Sequence, residues 1–324
     1  MKIVDEHVHI SPEFNGKTLV DFMDRTETSN AVLQSVFHTK SGPLAPMALN
    51  LKEQYPGRFY VFGAPDARLY FTRAKDIGNA QLEFLKPLFD SGMDGVKFLE
   101  GKPNMRKDYP IPPFDSEEWD PFWDYLENEK VPVTWHVNDP EDHWAKDVSP
   151  WLKAQGWAYD ESFINNEVQY SEVLNVLSHH PNLKIIFAHF FFMSAQLERL
   201  SDILDKYPCI KVDLTPGFEM YRNFSMDKEA TLRFFEKYHD RICYGTDIGG
   251  RCILTNEGQA FNEKENILRP RIVRTFLESD SDIQITSDGD FLIQKEPFTM
   301  RCLGLSAERL GEIYHSNIEN MFRP

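Results

Sequence analysis

The sequence predicts an α/β fold of the (β/α)8-barrel type, with extended loops after the fifth and eighth strands. Three observations carry that prediction. Short runs rich in β-branched and aromatic residues alternate with longer amphipathic segments along all 324 residues, the pattern of a parallel sheet with helical crossovers. Eight such runs can be counted, at 3–9, 32–38, 59–64, 94–99, 131–137, 184–189, 209–214 and 242–247. Four of them, the first, fifth, sixth and eighth, bring a histidine or a carboxylate to the C-terminal rim of the strands, where a barrel keeps its chemistry. A single TIM-barrel domain over residues 1–324, enlarged by insertions, accommodates the length.

Taken in order, the first run holds Asp5-Glu6-His7-Val8-His9. Alternate residues of a strand share a face, so His7 and His9 project together, with Asp5 one step deeper as a group to orient a ring. The second run ends at His38, expected as a packed ring. A helical pattern at 82–89 precedes the fourth run, which carries Lys97 mid-strand and Glu100 beyond it, read as an exposed loop glutamate. Asp115-Ser116-Glu117-Glu118 predicts a capping box that opens a helix through Asn128. The fifth run ends in Trp135-His136, and the 137–168 insertion that follows carries Trp144, Trp151 and Trp157. Helical patterns at 172–177 and 232–238 precede the sixth run, ending at His189, and the eighth, ending in Tyr244-Gly245-Thr246-Asp247. The second insertion, about 249–304, contains an expected hairpin turning at Ser287-Asp288-Gly289-Asp290. Residues 305–322 predict a closing helix whose apolar face is Leu310, Ile313, Ile318, Met321 and Phe322.

Composition narrows the function. The net charge of −16 repels phosphate backbones and anionic lipid, so neither nucleic acid nor membrane is the expected partner. The four cysteines, Cys209, Cys243, Cys252 and Cys302, form no C-x-x-C pair, and no apolar segment follows Met1 as a signal peptide would. The longest apolar run, around Ile185 to Met193, is too short to span a bilayer. A reduced, cytoplasmic protein is the expectation.

A lone H-x-H is most often chance. Here His7, His9, His136, His189 and Asp247 all fall at strand ends of one barrel, and unrelated core histidines would have to align by accident. Neutral imidazoles held side by side suit a divalent ion such as zinc. His143, His179, His180, His239 and His315 fall in loops or helical segments and read as surface or capping groups.

The D-x-H-x-H opening, the strand-terminal His136 and His189, Tyr-Gly-Thr-Asp at 244–247, and Ile313-Tyr314-His315-Ser316-Asn317 near the end resemble the amidohydrolase superfamily. More narrowly they resemble its amidohydrolase-related branch, which includes amino-carboxymuconate-semialdehyde and resorcylate-type decarboxylases. The resemblance implies one divalent ion, zinc in the first place and manganese in the second, ligated by His7, His9, His136 and Asp247. It implies His189 and Asp247 as catalytic groups, the first stabilising charge on the attacked oxygen and the second moving the proton. Lys97 is the place of a carboxylated bridging lysine in two-metal relatives, although its mid-strand position favours a salt-bridged lysine of the polar layer. Lys97, Trp135 and Arg251 are the substrate-binding candidates; Arg106 reads as a surface salt bridge. The implied reaction is metal-assisted hydrolysis of a small ester, lactone or amide. The alternative is non-oxidative decarboxylation of an aromatic or unsaturated acid. Either takes a small, carboxylated substrate, and homodimerisation is left open. Metal-dependent deoxyribonucleases share the opening motif, but the acidic surface argues against that class. A non-catalytic metal scaffold would draw its ligands from short spacings.

Overall fold

The computed structural model describes residues 1–12, 15–38, 41–148, 150–154, 156–217, 219–249, 263–286 and 297–323. Its main sheet has nine parallel strands: β1 Val4–His9, β2 Asn30–Ser35, β3 Phe59–Gly63, β4 Gly95–Gly101, β5 Val133–Val137, β6 Ile185–Phe187, β7 Ile210–Asp213, β8 Ile242–Cys243 and β9 Ile248–Gly249. The pairing order is β8-β7-β6-β5-β4-β3-β2-β1-β9. The two ends of that order, β8 and β9, belong to one stretch of chain. On one side it pairs Ile242 with Val212 of β7, and on the other Ile248 with Val8 of β1. Between them, Glu6 N–H donates to the Tyr244 carbonyl and Asp247 N–H to the His7 carbonyl. The sheet therefore curls until one stretch serves both edges, as the alternating pattern predicts.

Helices follow the strands: α1 Gly16–Arg25, α2 Ala45–Gln54, α3 Ile77–Asp90, α4 Asp120–Asn128, α5 Asn166–His179, α6 Leu197–Lys206, α7 Lys228–Lys237 and α8 Glu263–Glu278. Asn15, Asn165 and Asp227 cap α1, α5 and α7 through their side-chain oxygens. The expected capping box does not open α4. Glu117–Trp119 form a 3-10 turn, and α4 starts at Asp120 with a proline in its first turn, a position that tolerates the missing N–H. The main apolar core fills the space between sheet and helices. A smaller one, Val4, Val32, Phe62, Ile186 and Cys243, forms the floor inside the sheet, closed by Ile318 and Met321. Those two come from the C-terminal segment, which runs as helix at Ala307–Gly311 and Asn317–Met321 with a π turn at Glu312–Ser316 between them.

Three departures from the expected strands shape the site. First, β1 bulges: Asp5 pairs with Ala31 but Val8 with Leu33, so three steps of β1 match two of β2. Val4 lies on the floor and Val8 in the outer core. The extra residue turns both Glu6 and His7 inward and moves Asp5 off the histidine face. Second, β6 stops at Phe187, and His189, Phe190, Phe191 and Phe192 follow with φ of 56°, 57°, 58° and 52°, a left-handed turn that non-glycine residues avoid. Third, the eighth run breaks at 244–247, and Asp247 also has a positive φ of 55°. In the second insertion, Ile283–Ile285 pairs antiparallel with Phe298–Met300; the expected turn at 287–290 lies outside the described residues.

Candidate metal centre

β1, β4, β7 and the 244–247 stretch deliver the central groups. His7 Nε2 lies 3.2 Å from His9 Nε2 and 3.9 Å from Asp247 Oδ1, and His9 Nε2 lies 3.2 Å from the same oxygen. Bonds of about 2.0–2.1 Å around a tetrahedral ion place neighbouring ligand atoms about 3.3 Å apart. The three donor atoms therefore fit the edges of one coordination sphere. His9 Nδ1 is buried without a hydrogen-bond partner among the described residues.

The surroundings set the ring states. Asp213 Oδ2 is 2.9 Å from His7 Nδ1, so that nitrogen carries the proton and Nε2 keeps its lone pair for an ion. Asp213 Oδ1 accepts from the backbone N–H groups of His189 and Thr215. Hydrogen bonds with Glu6 and His7 outweigh burial and hold Asp213 well below the usual carboxylate range. Burial pushes the Glu6 carboxyl well up, and the Asp213 charge beside it adds to the shift. Glu6 is clasped by Gln34 and by Thr134 of β5, contacts that cross the interior. Burial, helped by Lys97, drives His7 down to about 3; burial also takes His136 to about 4 and His189 to about 3. Neutral imidazoles at physiological pH are the ligand form.

Lys97 is fully buried, and its Nζ stands 2.8 Å from His7 Nε2. No carboxylate of the described residues pairs with it directly; its contact is the ring. Burial lowers it to about 8, still above neutral pH, so Lys97 stands in the site as an ammonium group.

His136 sits at the same rim but apart from the three converging donors. Its ring meets His189 edge-on at 4.9 Å, and His189 lies 5.6 Å from His7. His136 Nε2 is 3.4 Å from Asp139 Oδ1, and Asp139 accepts from Lys102 at 2.7 Å and Tyr159 at 2.5 Å. The loop after β5 is thereby tied to the histidine. Trp135 is not brought to the site. Thr134 and His136 face inward, so Trp135 faces the helices, stacked 4.9 Å from Trp123 of α4. Arg251 lies outside the described residues. Asp5 does not orient a ring; the bulge directs it to Thr246 and to the His7 N–H. Glu100 is buried, not exposed, and accepts from Tyr70 at 2.8 Å. Arg106 forms a buried bidentate pair with Glu172, and His143 and His180 are also buried. His38 is the packed ring expected, accepting from Ser41 N–H.

Sequence reasoning passed over Asp213 and Arg269. Asp213 ends a strand, the rule that picked out Asp247, and could have been found the same way. Arg269 of α8 donates to Asp247 Oδ2 at 2.8 Å, and no local motif announces it. Burial works against the Asp247 charge, but Arg269 and His9 prevail and hold it well below the carboxylate range.

The arrangement brings three candidate ligand atoms together at strand ends, and comparison with known proteins supplies the lineage. The sequence model of the amidohydrolase family matches residues 47–317. The chain belongs to the amidohydrolase family. The match begins after β1, so in this amidohydrolase-family chain His7 and His9 enter through the structure. No curated protein matches the sequence. Among solved structures, an uncharacterised TIM-barrel protein from Bordetella bronchiseptica is 11% identical with a TM-score of 0.62, covering 99% of this chain and 98% of that one. A dihydroxybenzoic acid decarboxylase from Polaromonas with bound manganese and 2-nitroresorcinol is 12% identical (TM-score 0.57; 99% and 96% covered). The 4-oxalomesaconate hydratase of Rhodopseudomonas palustris is 11% identical (TM-score 0.55; 99% and 95% covered). These likenesses establish the α/β barrel fold and leave the reaction to the site.

Proposed function

We propose that this amidohydrolase-family chain is a metal-dependent hydrolase of a small ester, lactone or amide, its ion held by His7, His9, Asp247 and His136. The convergence of His7 Nε2, His9 Nε2 and Asp247 Oδ1 within 4.8 Å of one another supports this most. A divalent ion bound there, zinc or manganese, supplies Lewis acidity and makes water a nucleophile near neutral pH. Asp247, kept ionised by Arg269, accepts the proton at Oδ1 and returns it to the leaving group. His189 has a different part from the one first expected. Its Nδ1 faces the Thr215 carbonyl at 3.3 Å; an acceptor there places the ring proton on Nδ1. Nε2 of the neutral ring then accepts and does not donate, so it orients a water or takes a proton. The cation suited to a developing negative charge, or to a substrate carboxylate, is Lys97. Chelation followed by assay on a panel of esters, lactones and amides tests the reading. Activity should vanish and return with added Zn2+ or Mn2+; full turnover by the stripped protein contradicts it.

A second reading, non-oxidative decarboxylation of an aromatic or unsaturated acid, draws support from Lys97 as a buried counter-charge and from the decarboxylase among the fold relatives. It requires Asp247 to carry a proton at the start of the step, which its pairing with Arg269 opposes. Carbon dioxide release from hydroxybenzoates, without hydrolysis of the panel, would select it.

A further inference from the structure

We infer that Arg269 and Asn266 of α8 are positioning residues that fix how Asp247 meets the ion, so that Oδ1 alone faces His7 and His9. The inference rests on the metal-dependent reading and extends it to a helix that the strand-end motifs do not touch. Residues three apart on a helix share a face, and α8 turns this face to the 246–249 stretch. Arg269 Nη1 donates to Asp247 Oδ2 at 2.8 Å and reaches the Thr246 carbonyl at 3.5 Å; Asn266 Oδ1 accepts from Gly249 N–H at 2.8 Å. Both side chains are buried, at 3% and 4% exposure. The helix thus holds the chain on either side of Asp247.

The stretch needs such holding. Asp247 has a φ of 55° and Gly249 one of 106°, and a Cβ on Gly249 would stand 1.9 Å from the His9 carbonyl. From β1, the His7 carbonyl accepts Asp247 N–H, and from the same strand Asp5 accepts Thr246 N–H. Backbone contacts fix where the Asp247 Cα stands, yet leave the carboxylate free to rotate and offer two oxygens. Arg269 occupies one of them. A carboxylate with one oxygen engaged by the guanidinium keeps the other for the ion.

Cobalt(II) is the probe, read by chelator competition and by the visible absorption of the loaded, full-length protein, which reports coordination number. Removal of a partner of this kind costs metal affinity about 10- to 100-fold. R269M should lose affinity in that range and shift its spectrum toward higher coordination as Oδ2 becomes available. R269K should retain the parental spectrum with a smaller loss. N266A should weaken binding less than R269M. If R269M folds and binds cobalt with parental affinity and spectrum, the clamp is overturned. If R269M does not fold, N266A decides: unchanged affinity overturns the clamp, and weakened affinity with an unchanged apo melting temperature supports it. A parent that binds no cobalt would overturn the metal reading and the clamp together.

Discussion

His136 shows how burial turns a common residue into a ligand candidate. Its ring is 6% exposed, and burial lowers its pKa from 6.5 to about 4. The folded state therefore refuses a proton that the unfolded chain accepts below 6.5, and stability drains away as pH falls from 6.5 toward 4. H136Q removes that titration. In metal-free protein, the stability gap between parent and H136Q should narrow by about 2 kcal/mol between pH 7 and 4.5, measured by urea unfolding. A gap that does not move with pH contradicts the assignment. Asp213 is the other instructive residue, since it fixes the His7 tautomer at 2.9 Å. D213N should weaken metal binding about 10- to 100-fold, read by chelator competition. At this scale the histidines and Asp247 were legible because strand ends mark them. Arg269 was not, because a helical arginine carries no sign of which carboxylate it will meet.

Among the elements, β1 and the turn after β6 depart most from a regular pattern. Period-two alternation placed Asp5, His7 and His9 on one face; the bulge between Asp5 and Val8 put Glu6 beside His7 instead. Nothing in the residues announces a bulge of this kind, because both faces of a barrel strand are buried and either alternation reads as apolar or functional. The left-handed turn was equally hidden. Each residue in that region costs about 1–2 kcal/mol, and packing must offset it. Phe191 stacks on Phe187 at 3.9 Å, Tyr170 donates to the Phe191 carbonyl, and Phe190 packs against Phe224, Phe234 and Phe235. Three residues make one turn, so His189 and Phe192 both reach the partly exposed mouth while Phe190 and Phe191 are buried. F190A should destabilise by about 3–5 kcal/mol, measured by chemical denaturation. Its loss should exceed that of F192A, whose ring faces the mouth; equal losses would show that the turn is not held from behind.

Across the whole molecule, the alternation of strands and helices made the architecture legible, and the eight runs match β1 to β8 within a few residues. Their ends were less so, because the last residues of β6 and β8 leave the sheet to reach the site. The floor and the site are separate layers: Val4 and Ile186 pack with Ile318 and Met321 below, while Glu6, Gln34, Thr134 and Lys97 meet above. I318A should therefore cost about 2–5 kcal/mol of stability yet leave metal affinity at the parental value. Loss of affinity in a folded I318A protein would show the layers to be coupled. The central claim is that one divalent ion sits where His7, His9 and Asp247 converge, and an anomalous-difference map of metal-loaded crystals tests it most directly. The account predicts one peak about 2.0–2.2 Å from His7 Nε2, His9 Nε2 and Asp247 Oδ1; a map with no peak there, or a peak held by side chains other than these and His136, would contradict it.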